Sequence, residues 1–333
     1  MRPKEYRIKE LLREKGLDGA IVSSPENFHY VTGFGGHQHT VSRQPGFTLA
    51  VMRADDKVPT HLTTMDFEAA TFRIKAAGLN FVVDPYDTWV GLKTWDEIAH
   101  GAVVPDKTAM ESSMDKLVQF MKACDLANKK VGIELDYLPV PYYKSLTEKF
   151  PEAEFVDISD LFVYARSVKQ PDEIEMFRNL CRIADHGFTE VSKIAKIGVS
   201  ERELAQCFRE DVIKSGFCAP SAWSMFSTGP SSARLTLPGD GVVKDGDVVK
   251  FDAGVNAEFD FYTTDTSRAW IIGNGDPALL KLKDRLYEGQ RRMIAAAKPG
   301  LPINELYHTA YDYVKEMFPC YRRGHQGHSI SMG

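Results

Sequence analysis

Apolar and polar residues alternate along the first half of the chain in short blocks that switch between two periods. The stretch "IKELLREKG" repeats its apolar positions at helical spacing, and "PVPYYKSLTEKF" does so again further on. Five short runs rich in Val, Ile, Leu, Phe and Thr stand between them, "DGAIVSS", "FTLAVMR", "THLTTM", "FVVDPY" and "KKVGIEL", and a sixth, "AEFVDIS", follows. Their length and β-branched content predict strands, so about the first 160 residues read as an α/β layer.

The pattern changes near "YARSVKQPDEIEMF". Pro171 followed by Asp172 and Glu173 predicts a helix start, since proline tolerates the first turn and acids favour it. Ile174, Phe177, Cys181, Ala184, Phe188, Val191 and Ile194 then fall on one helical face. A second helix opens at "SERE", where Ser200 and Glu203 have capping-box spacing. We therefore expect two domains, 1–165 and 166–333.

The later domain contains an internal echo. "AKIGVSEREL" (195–204) and "AKPGLPINEL" (297–306) share A-K-x-G-x-x-x-x-E-L, which suggests a duplicated unit of two helices plus a sheet. By that offset the counterpart of Asp252 would fall past Gly333, so the second unit is expected to be incomplete here.

Two aspartates break the apolar pattern of this domain. Asp252 ends "VVKF", and Asp265 sits inside "FYTTDTSRAWII". The two runs predict a hairpin with a polar tip at Asn256–Asp260. Period-two alternation places Val248, Lys250 and Asp252 on one face, and Asp265, Ser267, Ala269 and Ile271 on one face of the partner strand. Carboxylates among apolar neighbours persist when they are paired, protonated or bound to a cation. Carboxylates together with the later imidazole of His328 suit Mn, Co, Fe or Zn. Taken singly, spacing alone favours a structural reading, with Asp252 as a turn cap and Asp265 as an ion-pair partner of Arg268. Asp260, in the tip, is an alternative to Asp252.

Bulk properties narrow the setting. A net charge of -5 leaves no basic excess for nucleic acid, and no apolar run approaches membrane-spanning length. Five scattered cysteines without a C-x-x-C pair suit free thiols in a reducing cytoplasm, so a cytoplasmic location is expected. No glycine-rich phosphate loop follows any predicted strand. The loop "TGFGGHQHT" carries His37 and His39 and is expected to be mostly solvated.

The block "GDVVKFDAG…FYTTDTSR" (246–268), the loop "GHQGHSISMG" and the entry helix "YARSVKQPDEIEMFR" resemble the pita-bread metallohydrolases, which include creatinase, Xaa-Pro aminopeptidase and prolidase. "SSPENFHYVTGF" is similar to the N-terminal block of the creatinase/prolidase group. The resemblance implies an α/β creatinase-like N-terminal domain and an α+β pita-bread C-terminal domain. It implies two divalent metal ions, Mn first among the candidates, held by Asp252, Asp265 and His328. Two further glutamate ligands would lie past Gly333. His325 would orient substrate or His328, with a solvated loop histidine as the alternative; Arg268 and Tyr262 would position the aspartates, and Tyr262 is also expected among the substrate-binding residues. Trp223 and Phe226 would line the substrate pocket, with core packing as the equal alternative.

The activity implied is cleavage of a peptide or small amide bond by a metal-bridged hydroxide, in a homodimer. Three departures matter. With three of the family's five ligands in this sequence, metal binding is expected to be weak and turnover poor. The aspartates are thirteen apart, about two more than the usual spacing, which an even insertion at a hairpin tip leaves without effect on facing direction. The position where such enzymes carry a proton-handling histidine holds Leu235, which can neither donate nor accept a proton. A creatinase-like hydrolase of a small non-peptide C–N substrate and a non-catalytic binding relative therefore remain as alternatives.

Overall fold

A computed structural model describes residues 4–88, 93–101, 112–216 and 218–332. The described chain divides into two compact units, with the split between Asp172 and Glu173, in the first turn of the helix Pro171–Ile194.

All six strands expected in the first unit form: β1 (Gly19–Val22), β2 (Leu49–Arg53), β3 (Thr60–Thr63), β4 (Phe81–Val83), β5 (Lys130–Ile133) and β6 (Glu154–Asp157). They make one mixed sheet in the order β4-β3-β2-β1-β5-β6. β1 and β2 pair antiparallel, as do β2 and β3, while β1–β5, β3–β4 and β5–β6 are parallel. The central strands are buried on both faces, which is why "GAIV" and "LAVMR" are nearly unbroken apolar runs. Ile21, Leu49, Val51, Val131 and Ile133 pack with Leu117, Phe120 and Met121 of the helix Ser113–Ala123.

One polar knot lies inside this unit. The buried Glu134 carboxylate accepts from the backbone N–H groups of Ser23 and Ser24, both their hydroxyls and the Asn27 side-chain amide. It thereby caps the start of the helix Pro25–Thr32 from across the sheet. His39, expected to be solvated, is instead buried: its Nε2 lies 2.9 Å from the Ser23 carbonyl and Phe28 packs edge-on against its ring. The reason is local, because "HQHTV" forms a short helix, His37–Val41, that turns this ring inward.

In the second unit the helix Pro171–Ile194 buries Phe177, Leu180, Ala184, Phe188 and Val191. That face is turned slightly from the expected one, leaving Ile174 exposed. The capping box at Ser200 and Glu203 opens the helix Glu201–Lys214. A second pair, Pro277–Ala296 and Ile303–Met317, repeats the helix–turn–helix arrangement. In both joints the shared glycine, Gly198 or Gly300, has the positive φ that favours glycine.

The strands of this unit are β7 (Cys218–Pro220), β8 (Met225–Thr228), β9 (Val248–Ala253), β10 (Val255–Ala257) and β11 (Thr266–Ile271). β9 lies between β8 and β11, antiparallel to both, and β7 pairs with β10. The expected β9–β11 hairpin is present, but its tip is shorter than predicted. Val255 and Ala257 are buried, so Asn256 belongs to a strand, and the chain reverses over 258–261, where Phe261 has a φ of 62°. Gly254 marks the break between β9 and β10. A side chain there would collide with the Thr264 carbonyl and the Trp223 ring.

Candidate metal centre

The apolar face of β9 fixes the direction of everything else on it. Phe251 packs against Trp270 at 4.5 Å between ring centroids and against Phe226 at 5.0 Å, and Phe208 packs against Phe226 in turn. With Val249, Phe251 and Ala253 buried on that side, Lys250 and Asp252 must project from the other. The register pairs Asp252 with Ser267 and Lys250 with Ala269, so Asp265, two residues before Ser267, is turned to the Asp252 side.

The two carboxylates feel each other. Burial, and then the negative charge of Asp265, push the Asp252 carboxyl above the usual carboxylate range, while Lys250, Arg323 and His328 pull it back. His328 completes the cluster, with Nε2 2.9 Å from Asp265 Oδ2. Its Nδ1 donates to the Ser329 carbonyl at 3.0 Å, and that bond, more than Asp265, raises the His328 pKa. With Nδ1 carrying a proton, the neutral ring turns the lone pair of Nε2 toward a carboxylate oxygen. Two electron-rich atoms that face each other need a proton or a cation between them.

The donor chemistry therefore fits a divalent cation. Among the described residues, though, no group of three or more His, Cys, Asp or Glu side chains is gathered tightly enough to hold an ion as it stands.

Other expected site residues lie elsewhere. Arg268 alternates to the opposite face of β11, where it pairs with Asp185 at 2.7 Å and lies over the Phe188 ring. It holds the sheet to the helix Pro171–Ile194 and does not position the aspartates. Tyr262 is 1% exposed, donates to Glu173 at 2.8 Å and packs on Phe177, so it is a buried strut and not a substrate contact. Phe226 is 0% exposed within the phenylalanine cluster, which corrects its reading as a pocket residue. Trp223 keeps 37% exposure beside Gly254, two residues from Asp252. The His325 ring stands 6.4 Å from that of His328, and its carbonyl accepts from Arg323. Leu235 is 80% exposed on the loop after β8.

Two residues near Asp252 were not singled out from the sequence. Lys250 was legible from the two-residue period. Arg323 had no such signal, since it comes from an irregular loop.

The pattern of the metallopeptidase family M24 matches residues 175–333, and that of the creatinase/prolidase N-terminal domain matches 6–168. The chain therefore carries a creatinase/prolidase N-terminal domain followed by an M24 metallopeptidase domain. Among relatives, the Xaa-Pro dipeptidase of Pyrococcus furiosus is 29% identical over 319 residues, covering 95% of this chain and 78% of the relative. An uncharacterised peptidase of Bacillus subtilis is 24% identical, covering 98% and 81%. The fold matches a Xaa-Pro dipeptidase from Bacillus anthracis with a TM-score of 0.78 at 22% identity, over 98% of this chain and 81% of that one. The prolidase of Pyrococcus horikoshii matches with a TM-score of 0.74 at 20% identity, over 98% and 82%. No helix among the described residues is long and apolar enough to cross a membrane.

Proposed function

We propose that this M24 chain is a divalent-metal-dependent hydrolase of short Xaa-Pro peptides. The observation that supports the reading is that Asp265, turned to the same face as Asp252, lies 2.9 Å from the imidazole of His328 on the C-terminal loop. Asp252, Asp265 and His328 are the residues that would hold the ions. A bound divalent cation supplies Lewis acidity toward a scissile carbonyl and lowers the pKa of water. The protein's own contribution is positional. The phenylalanine cluster behind β9 keeps Asp252 forward, and the Ser329 carbonyl keeps Nε2 of His328 toward Asp265. Trp223, partly exposed beside Gly254, offers an aromatic surface on which a proline ring can pack.

The family resemblance supports Mn as the first metal to test, with Co, Zn and Fe next, and supports a cytoplasmic homodimer. One observation favours a second reading. Leu235 supplies no imidazole for proton transfer, which favours a creatinase-like C–N hydrolase or a binding relative over a peptidase. The test is hydrolysis of Xaa-Pro dipeptides, longer Xaa-Pro peptides and creatine by protein dialysed against each metal. Metal-dependent turnover of the dipeptides supports the proposal. Turnover of creatine alone, or binding without turnover, overturns it.

A further inference from the structure

Asp252 shares its face of β9 with a cation. Lys250 lies two residues back, about 7 Å along the strand, and the alternation that buries Val249, Phe251 and Ala253 turns it to the same side. Lys250 is half-buried, a setting in which an ammonium ordinarily has a carboxylate partner. Among the described residues no carboxylate lies within ion-pair distance of it, and Nζ instead donates to the Arg234 carbonyl at 2.9 Å.

That acceptor is itself fixed. The Arg234 N–H donates to the Ser231 carbonyl, and the Ser231 hydroxyl donates to Glu201, a carboxylate 2% exposed at the start of the helix Glu201–Lys214. Glu201 also accepts from the Thr228 N–H at 2.9 Å and from the Gly239 N–H at 2.8 Å, so the loop is tied at both ends. A lysine on an open strand face swings its charge into water. This one is tethered, and its charge is felt at Asp252, where it opposes the effect of burial.

A tethered positive charge beside two carboxylates has a definite electrostatic consequence. It offsets part of the negative potential that draws a divalent cation to the face, and it repels that cation once bound. We propose that Lys250 sets the affinity of the Asp252–Asp265 face for its divalent cation, holding it low enough for the ion to exchange with solution. This rests on the reading of that face as a metal centre and adds regulation to it: occupancy, and activity with it, follows the free concentration of the metal. Removing the charge therefore tightens binding, the opposite of what loss of a structural side chain does.

Calorimetric titration of the full chain with Mn²⁺ at low ionic strength tests it and reads binding without turnover. Lys250→Gln, which keeps a donor for the Arg234 carbonyl, should bind about fivefold more tightly than the wild type, and the difference should shrink as salt is added. Lys250→Arg, which keeps the charge, should bind like the wild type. Wild-type binding that Lys250→Gln leaves unchanged or weakens overturns the inference and leaves the metal reading standing. Equal tightening by Lys250→Gln and Lys250→Arg does the same. Absence of saturable binding in all three proteins overturns the metal reading, and this inference with it.

Discussion

Nε2 of His328 lies 2.9 Å from Oδ2 of Asp265, bringing together residues 63 positions apart in the sequence. The contact brings the "GHQGHSIS" loop to the start of β11 and closes the electronegative face that Asp252 opens. A protonated imidazole or a divalent cation satisfies it equally, and that exchange is the basis of the proposed metal dependence.

Arg268 provides a control for this centre. Because its guanidinium pairs with Asp185 on the far side of the sheet, Arg268→Ala should leave cation affinity unchanged. Both partners are largely exposed, so the loss of stability should be at most about 1 kcal/mol. Denaturant unfolding and a metal titration of the variant check both halves of the statement.

Glu134 should behave as a structural carboxylate. Five donors from Ser23, Ser24 and Asn27 converge on it, and Glu134→Gln turns an NH2 group toward some of them. The expected cost is about 1–3 kcal/mol, read as a lower melting temperature of the N-terminal unit with cation binding intact.

His39 gives that unit a pH response. Burial pushes its pKa down to about 4, below the ordinary value of 6.5. The unfolded chain therefore takes up a proton first as pH falls, and the folded state loses stability between about pH 6.5 and 4. Chemical denaturation at steps across that window should show the decline. His39→Gln should flatten it, and an unchanged slope would show that other groups dominate.

Much of this was legible in the residues. The six strands of the first unit were readable because central strands buried on both faces leave long apolar runs such as "LAVMR". The facing of Asp252 and Asp265 followed from a two-residue period, which an insertion at the tip does not disturb. What the sequence hid were contacts between elements. Arg268 sits three residues from Asp265, yet the same period turns it away, and its partner Asp185 lies on a helix far back in the chain. Phe226 and Tyr262 look like pocket aromatics in a linear string, but aromatic residues beside a site are as readily its buried scaffold. His39 was missed because a glycine-rich stretch suggested a solvated loop where a short helix forms. Glu201 and Arg323 act across loops, where no periodicity reports on neighbours.

The most direct test of the account is a calorimetric titration with Mn²⁺ of the wild-type chain and of Asp265→Ala. The account predicts saturable binding by the wild type that disappears in the variant. Equal stoichiometric binding by both proteins, or no binding by the wild type, would contradict it.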